Sequence, residues 1–337
     1  MIGGLKKVAL LCVAVSANVF IPATTTRAVP STGTAPFFHQ STAHKTPRSV
    51  NGSLKQGQTR NVVRVPGQIH FREVSGRGLL VSAWVNGSGP YTFAIDTGAG
   101  ATILSRRVAD EARVSTSNRR PVTIQGMSGV GMVSGQEVLV RELALGDENN
   151  LLPSSGTVIV TDRLAPGVDG VLDPAEAFWP LGFEIDMPRG ELTAFDPRLN
   201  PVRRNQSLAP DETIVPWLFD AGSRRPFVLL EGRQRALIDT GSGFGLALTE
   251  DAARSLGILG GRGREYQDVR DLAGGQIAAH RISPATIHLG NLVLRSIPTD
   301  LLPNARAGSP VLLGRDALRP FRLTFDPSSR LIRIIPG

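Results

Sequence analysis

One phrase occurs twice in the sequence: FAIDTGAGATIL begins at Phe93, and ALIDTGSGFGLAL begins at Ala236. In each copy an apolar run ends at an aspartate, and threonine, glycine, small residues and a second apolar run follow. A carboxylate at the end of a buried strand is costly unless another group satisfies it. Because Asp96 and Asp239 hold the same place in their copies, the repeat predicts that each is the other's partner.

The likeness between the two halves extends beyond this phrase. A strand-like run precedes each aspartate, and a short capped helix is predicted after each, at 105–114 and 249–257. A glycine-rich segment typical of a hairpin follows, and each half closes with a predicted hairpin of two strand-like runs. An apolar segment with a glycine, Gly170 or Gly314, lies at nearly the same distance from each aspartate. Order and spacing together indicate an internal duplication.

The pairing of the two aspartates predicts a specific chemistry. Two carboxyl groups about 3 Å apart cannot both ionise, so one of them keeps a proton. The ionised member can deprotonate a water molecule, and the protonated member can donate to a carbonyl oxygen, which hydrolyses an amide. We therefore expect Asp96 and Asp239 to be catalytic. The residues expected to set the geometry of the pair are Thr97, Gly98, Thr240 and Gly241.

On these residues the chain resembles the retroviral-type (retropepsin-like) aspartic peptidases and their bacterial relatives. The likeness rests on residues 95–99, 102–104 and 313–316, and it covers about 69–337. It implies a mainly β fold of two pseudo-twofold-related β-barrel lobes with short helices and an active-site cleft between them. Many such peptidases are homodimers of one half, whereas this chain holds both halves, as pepsin-like enzymes do. The implied activity is that of an aspartic endopeptidase on an extended polypeptide.

Three features depart from the family pattern. The first half has Gly-Val-Leu-Asp173-Pro where the second half has Gly-Arg-Asp316. In retroviral-type halves the arginine after the strand glycine commonly pairs with an acid four residues beyond the catalytic aspartate. Here the arginine is Arg315, whereas the acid positions hold Gly100 and Gly243, so the sequence offers no such partner. The flap segments also lack the tyrosine of pepsin-like flaps. The glycines expected to form flaps over the substrate are Gly126, Gly129, Gly131, Gly274 and Gly275.

The N-terminal sequence MIGGLKKVALLCVAVSANVF has two lysines, a short apolar run and small residues, which is typical of a secretory signal. That run is shorter than the ~20 residues of a spanning helix, which favours cleavage over anchoring. Because the only cysteine is Cys12, the mature protein would lack disulfides, which favours a bacterial periplasm. The predicted organisation is a signal peptide (1–28), a flexible basic linker or pro-segment (29–68), an N-terminal lobe (69–200) and a C-terminal lobe (201–337).

The composition narrows the choice of partners. The formal net charge of +8 suits an acidic partner such as an anionic membrane surface. Nucleic-acid binding is not expected, because the sequence has no module that interleaves aromatic and basic residues. The five histidines show no metal-ligand spacing, so we expect no metal and no cofactor. We expect a polypeptide substrate, by analogy with the family an envelope protein cut at limited sites, and a monomer with its lobes paired intramolecularly.

Other interpretations of the sequence compete with this one. The chain could be a non-catalytic peptide- or protein-binding module that kept the fold, although such a module has no need of both acids. Each aspartate could merely cap the turn that follows it. The glycine-rich loops weakly resemble nucleotide-binding loops, but the third glycine of that fingerprint is missing or misplaced. Finally, the lobes could be exchanged between two chains rather than paired within one.

Overall fold

The computed structural model describes residues 13–16, 64–115, 120–126, 132–153, 156–220, 222–258, 265–270, 276–305 and 308–337. The chain divides into two units, Val63–Gly337 with Met1–Asn18 as one and Val19–Val62 as the other. Every element named below belongs to the first unit. In the described part of the chain, no helix has the length and apolar character that crossing a membrane requires.

The first half of the chain consists mainly of strands, with two short helices. The strands are β1 (Val13–Ser16), β2 (Ile69–His70), β3 (Arg72–Val74), β4 (Gly78–Val85), β5 (Ser88–Ile95), β6 (Ile103–Ser105), β7 (Arg120–Gly126), β8 (Met132–Leu139), β9 (Leu143–Leu145), β10 (Thr157–Thr161), β11 (Gly170–Leu172), β12 (Gly182–Asp186) and β13 (Glu191–Phe195). The helices are α1 (Arg106–Glu111) and α2 (Pro174–Ala177).

The second half repeats this plan. Its strands are β14 (Thr213–Pro216), β15 (Leu218–Asp220), β16 (Ser223–Leu230), β17 (Gln234–Asp239), β18 (Leu246–Leu248), β19 (Glu265–Arg270), β20 (Gln276–Leu289), β21 (Leu292–Leu301), β22 (Val311–Gly314), β23 (Phe321–Asp326) and β24 (Leu331–Pro336). Its helices are α3 (Glu250–Leu256) and α4 (Arg315–Leu318). The mainly β fold expected from the resemblance is confirmed.

Each lobe is built on one large sheet. The first sheet has the order β1-β7-β8-β10-β6-β11-β5-β4-β3, with β9 paired to β4, and the second has the order β15-β16-β17-β22-β18-β21-β20-β19. In both sheets the strand that leads to the aspartate lies inside, between an antiparallel neighbour and a parallel one. Phe93, Ile95 and Ile238 are accordingly fully buried. The segment Val13–Ser16, which lies within the predicted signal peptide, pairs antiparallel with β7.

A third sheet takes its strands from both halves, in the order β14-β24-β23-β12-β13-β2. Its centre is the antiparallel pair β12 and β23, which sets Phe183 opposite Phe325 and Ile185 opposite Leu323. The two phenylalanine rings are stacked with their centroids 4.5 Å apart, and all four side chains are buried. The closing hairpins β12–β13 and β23–β24 confirm the hairpins predicted from the sequence, and their pairing joins the lobes within one chain.

The predicted helices after the aspartates are confirmed as α1 and α3. Helix α1 follows Ser105, whose side chain accepts from the N–H of Val108. Helix α3 follows Thr249, whose side chain accepts a hydrogen bond in the same way, and it ends at Gly257 in the left-handed conformation with φ 70°. Both helices therefore begin at an N-cap residue that the sequence made recognisable.

The equivalence of Gly170 and Gly314 that the spacing indicated is wrong by three residues. Gly170 lies beside Phe93, three residues before the aspartate of its half, whereas Gly314 lies beside Asp239 itself. A β-carbon on Gly170 would lie 2.6 Å from the Phe93 ring, so this glycine makes room for that ring. The similar spacing of the two glycines is therefore a coincidence.

The strand register instead places Asp173 where the second half has Gly314. In the first half, Leu172 of β11 pairs with Ile95, the residue before Asp96. In the second half, Leu313, the residue before Gly314, pairs with Ile238, the residue before Asp239. The N–H of Asp96 donates to the carbonyl of Leu172 at 2.9 Å, which holds the two segments in this register. Asp173 therefore directly follows β11, the strand that pairs with the one leading to Asp96.

Candidate active site

Asp96 directly follows the central strand β5, and Asp239 ends the central strand β17. The structure brings the two aspartates together. Both side chains are fully buried, and their carboxyl groups are in hydrogen-bonding contact. A β-carbon on Gly241 would overlap the carboxyl group of Asp96, so the loop of one lobe approaches the acid of the other only because this residue is glycine. The hydrogen bond between the two acids requires a proton, since two carboxylates have none to donate.

Each carboxyl group also has a fixed backbone donor from its own loop. The N–H of Gly98 donates to Oδ1 of Asp96 at 2.8 Å, and the N–H of Ser242 donates to Oδ1 of Asp239 at 3.0 Å. The Oδ2 atom of each acid is buried and receives no fixed donor from the residues that the structure describes. The backbone therefore orients both groups and leaves one oxygen of each for the shared proton or a reactant.

Thr97 and Thr240 connect the two loops by reciprocal hydrogen bonds. The N–H of each threonine donates to the hydroxyl oxygen of the other at 3.1 Å. The Thr97 hydroxyl then donates to the carbonyl of Ile238 at 2.7 Å, and the Thr240 hydroxyl donates to that of Ile95 at 3.3 Å. Because both threonines are fully buried, water does not compete for these bonds, and the loops are fixed relative to each other.

The site raises the pKa of both acids. Burial is the main cause for each, and the negative charge of Asp96 adds to it in holding the pKa of Asp239 well above its ordinary value. The N–H groups of Gly98 and Ser242 and the positive charge of Arg315 act in the opposite direction. The pair therefore keeps a proton at pH values where an ordinary aspartate is ionised.

Arg315 has a partner that the sequence did not reveal. Its guanidinium is buried and donates to the carbonyls of Thr240 at 2.7 Å and Gly241 at 2.8 Å. Its Nε lies 3.4 Å from the carboxylate of Glu73, on β3 of the other lobe. The absent acid at Gly243 is thus replaced by one from the opposite half, 242 residues away in sequence.

Glu73 is held by two arginines of the second lobe. Arg319 binds its carboxylate at 2.9 Å, beside the contact from Arg315. Burial alone would raise the pKa of Glu73, but the hydrogen bonds and charges of the two arginines hold it below its ordinary value. Glu73 is therefore an anion at neutral pH, and it joins β3 of the first lobe to α4 of the second.

The flap predictions fall mostly outside the described residues. Gly126 ends β7, whereas the other four glycines, Gly129, Gly131, Gly274 and Gly275, lie outside them. The hairpins that carry these segments are formed by β7 with β8 and by β19 with β20. The covering role of these glycines stays a prediction.

Asp173 is a residue of the site that the sequence patterns did not reveal. Its side chain is fully buried, Oδ1 accepts from the N–H of Ala175 at 2.9 Å, and its own N–H donates to the Thr102 hydroxyl at 3.2 Å. The available signal was the departure of GVLDP from the glycine pattern of the second half. The similar spacing of Gly170 and Gly314 from their aspartates hides this signal, because it aligns the wrong residues of the two halves.

Comparison with known proteins agrees with this geometry. Residues 81–172 and 231–317, together more than half of the chain, match the model of a family described as aspartyl protease, and each segment contains one Asp-Thr-Gly. The crystal structure of an aspartic proteinase from Irpex lacteus is similar, with a TM-score of 0.50 and 13% identity, over 80% of this chain and 97% of that one. At this identity the likeness shows the fold. No curated protein sequence matches the chain.

The threonine bonds between the lobes can be tested by an isosteric change. Thr97→Val should lower the free energy of unfolding by about 1–3 kcal/mol, because it leaves the Thr240 N–H and the Ile238 carbonyl buried without this partner. Thr97→Ser keeps the hydroxyl and is the matched control. Chemical denaturation of the three proteins checks this, and equal stability of the Val and Ser variants would contradict it.

Arg315 should affect stability in a pH-dependent way. Removing its charge raises the folded-state pKa of both aspartates further, and a carboxyl with a raised folded pKa loses its contribution to stability as the pH rises. Arg315→Gln should therefore lower the free energy of unfolding by about 1–3 kcal/mol at pH 4 and by more at pH 7. Denaturation at both pH values checks this, with Arg315→Lys as the charge-preserving control. A loss that is independent of pH would contradict it.

Proposed function

Because the chain belongs to the aspartyl protease family, we propose that it is an endopeptidase that hydrolyses peptide bonds with Asp96 and Asp239. The observation that carries this proposal is the contact between two buried carboxyl groups, one from each lobe, each of which has a raised pKa. Each group accepts at Oδ1 from a backbone N–H of its own loop, and among the described residues Oδ2 of each has no partner at hydrogen-bond distance. This arrangement provides an acid and a base at the same place.

The proposed reaction uses the two protonation states of the pair. The ionised carboxylate takes a proton from a water molecule as the water oxygen attacks the carbonyl carbon of the peptide bond. The protonated carboxyl donates its proton to the carbonyl oxygen, so a neutral tetrahedral intermediate forms. Proton transfer to the amide nitrogen then breaks the C–N bond and releases an amine and a carboxylic acid. No covalent bond to the protein is needed.

The rigidity of the site supports this mechanism. General acid–base catalysis depends on carboxyl groups held within a fraction of an ångström of their working positions. The reciprocal bonds of Thr97 and Thr240 and the bonds from Arg315 to the loop of Asp239 supply that constraint from within the protein. The carboxyl groups of Asp96 and Asp239 therefore need no rearrangement when a polypeptide binds.

The catalytic roles are tested by changing each acid to its amide. The purified full chain should cleave an unfolded protein between pH 3 and 7, most rapidly on the acid side, because one member of the pair must be ionised and the other protonated. Asp96→Asn and Asp239→Asn should each lower the rate by at least about 10²-fold. Gel or mass-spectrometric detection of fragments measures this.

A buried acid away from the site provides the control for that experiment. Asp326 lies at the turn of β23 and β24 and accepts from the N–H groups of Val202, Ser328 and Ser329. Asp326→Asn tests whether loss of a buried carboxyl alone abolishes cleavage through instability. A folded wild type that is inert over the whole pH range would contradict catalysis and favour the non-catalytic peptide-binding module.

We also propose that the chain is exported to a bacterial periplasm, acts there as a monomer, and cuts envelope proteins at limited sites. The support is the N-terminal sequence, with small residues suited to cleavage after Ala17 or Ala23, and the basic charge, which suits an anionic membrane surface. Intact-mass analysis of periplasmic protein from expressing cells should show the loss of this segment. An unprocessed mass would contradict the proposal, and a loss reaching about residue 68 would identify a pro-segment.

A further inference from the structure

Asp173 occupies a position at which the other half of the protein requires glycine. A β-carbon on Gly314 would overlap the carbonyl oxygen of Phe244 and lie 3.0 Å from that of Ser242. The loop after Asp239 thus packs directly onto the end of β22. The loop after Asp96 leaves room for a whole carboxyl group at the corresponding place.

A difference in loop length accounts for this room. In the first half Ile103 pairs with β11 as Ala247 pairs with β22 in the second half. Ile103 lies seven residues after Asp96, whereas Ala247 lies eight residues after Asp239. The first loop is therefore one residue shorter, and the side chain of Asp173 lies where the longer loop would pack.

The carboxyl group of Asp173 is only partly satisfied. Its Oδ1 caps α2 by accepting from the N–H of Ala175 at 2.9 Å. Its Oδ2 is buried and has no hydrogen-bond partner among the described residues. An ionised carboxylate is much more costly than a neutral acid in such a place, so the neutral form is favoured. Burial accordingly raises the pKa of Asp173 well above its ordinary value, and the negative charges of Glu176 and Asp96 raise it further.

The electrostatic surroundings connect Asp173 to the aspartate pair. The charged groups concerned are Glu176 on α2, Arg224 on β16, Asp96 after β5, Asp239 at the end of β17 and Arg315 on α4. Glu176 is bound by Arg224, which offsets part of its charge. Arg315 acts on both members of the pair, so it favours the first ionisation there rather than at Asp173.

After the first ionisation of the pair, electrostatic repulsion favours Asp173 as the source of the next proton. Asp96 and Asp239 are in hydrogen-bonding contact, so a second charge on the pair would place two anions side by side. Asp173 interacts with Asp96 through charge, without a hydrogen bond between the two carboxyl groups. Repulsion is therefore weaker when the second charge lies on Asp173. That charge in turn makes the remaining proton of the pair harder to remove.

We propose that Asp173 is a positioning residue that acts through Asp96. Asp173 is neutral in acid; once it is ionised, its charge keeps the remaining proton on the Asp96–Asp239 pair and so extends cleavage toward neutral pH. This inference rests on the proposed peptidase function of that pair. The effect of Asp173 is that of a nearby charge whose presence depends on pH.

The test compares the pH profiles of kcat/KM for the full chain and its variants on a quenched fluorescent peptide that the wild type cleaves. Asp173→Asn and Asp173→Ser both keep an N-cap oxygen for the Ala175 N–H and remove the titrating group. Both variants should move the alkaline limb to lower pH by about half a unit or more and leave the acid limb unchanged. Asp326→Asn is the control for loss of a buried carboxyl and should keep the wild-type limbs.

A second measurement needs no cleavage. Because the folded-state pKa of Asp173 is raised, the stability that its neutral form contributes is present at low pH and is lost as the pH rises through that pKa. The Tm of Asp173→Asn relative to wild type should therefore increase between about pH 4 and pH 8. A relative Tm that does not change with pH would overturn the inference.

The outcomes separate the two proposals. A wild type that cleaves, with an alkaline limb that both Asp173 variants leave in place, would overturn the inference alone. A lower kcat with unchanged limbs would likewise overturn it, because it would show a structural role for Asp173 and nothing more. A wild type that cleaves nothing would overturn the proposed function, and with it the part of Asp173 in cleavage. Lowered alkaline limbs in both variants support the inference.

Discussion

The contact between the buried carboxyl groups of Asp96 and Asp239 is the constraint on which the rest of the structure depends. Two acids in a dry interior require a shared proton, oriented N–H donors and a nearby cation. The loops after both strands, the glycine at 241 and the buried guanidinium of Arg315 meet these requirements. The plan that the two lobes share brings these groups to a single place from residues far apart in sequence.

The sequence was sufficient for the parts of this structure that are encoded locally and repeated. The aspartates, the helices after them and the closing hairpins each have a short pattern, and finding the pattern twice removed most of the ambiguity. The contact of Glu73 with Arg315 could not be predicted in this way, because it depends on how the lobes pack. The place of Asp173 depended on strand register, which two similarly spaced glycines misrepresented.

The two halves of the site differ despite their common plan. A glycine ends the strand beside Asp239, whereas an acid follows the strand beside Asp96. Among the described residues, only the second half supplies a buried arginine to the pair. A duplicated chain permits such divergence, because each copy can change without the same change appearing in the other. A symmetric dimer would carry both copies of every substitution, two buried acids or two buried arginines together.

The sheet shared by both lobes has a consequence for assembly. Because β12 and β23 pair within one chain, the two acids are brought together by folding alone. A dimer of single lobes would instead lose translational and rotational freedom on association, at a cost of about 4–15 kcal/mol. Its site would come apart on dilution, whereas the site of the proposed monomer stays assembled at any protein concentration. A single molecule, isolated in a large volume, carries the whole site.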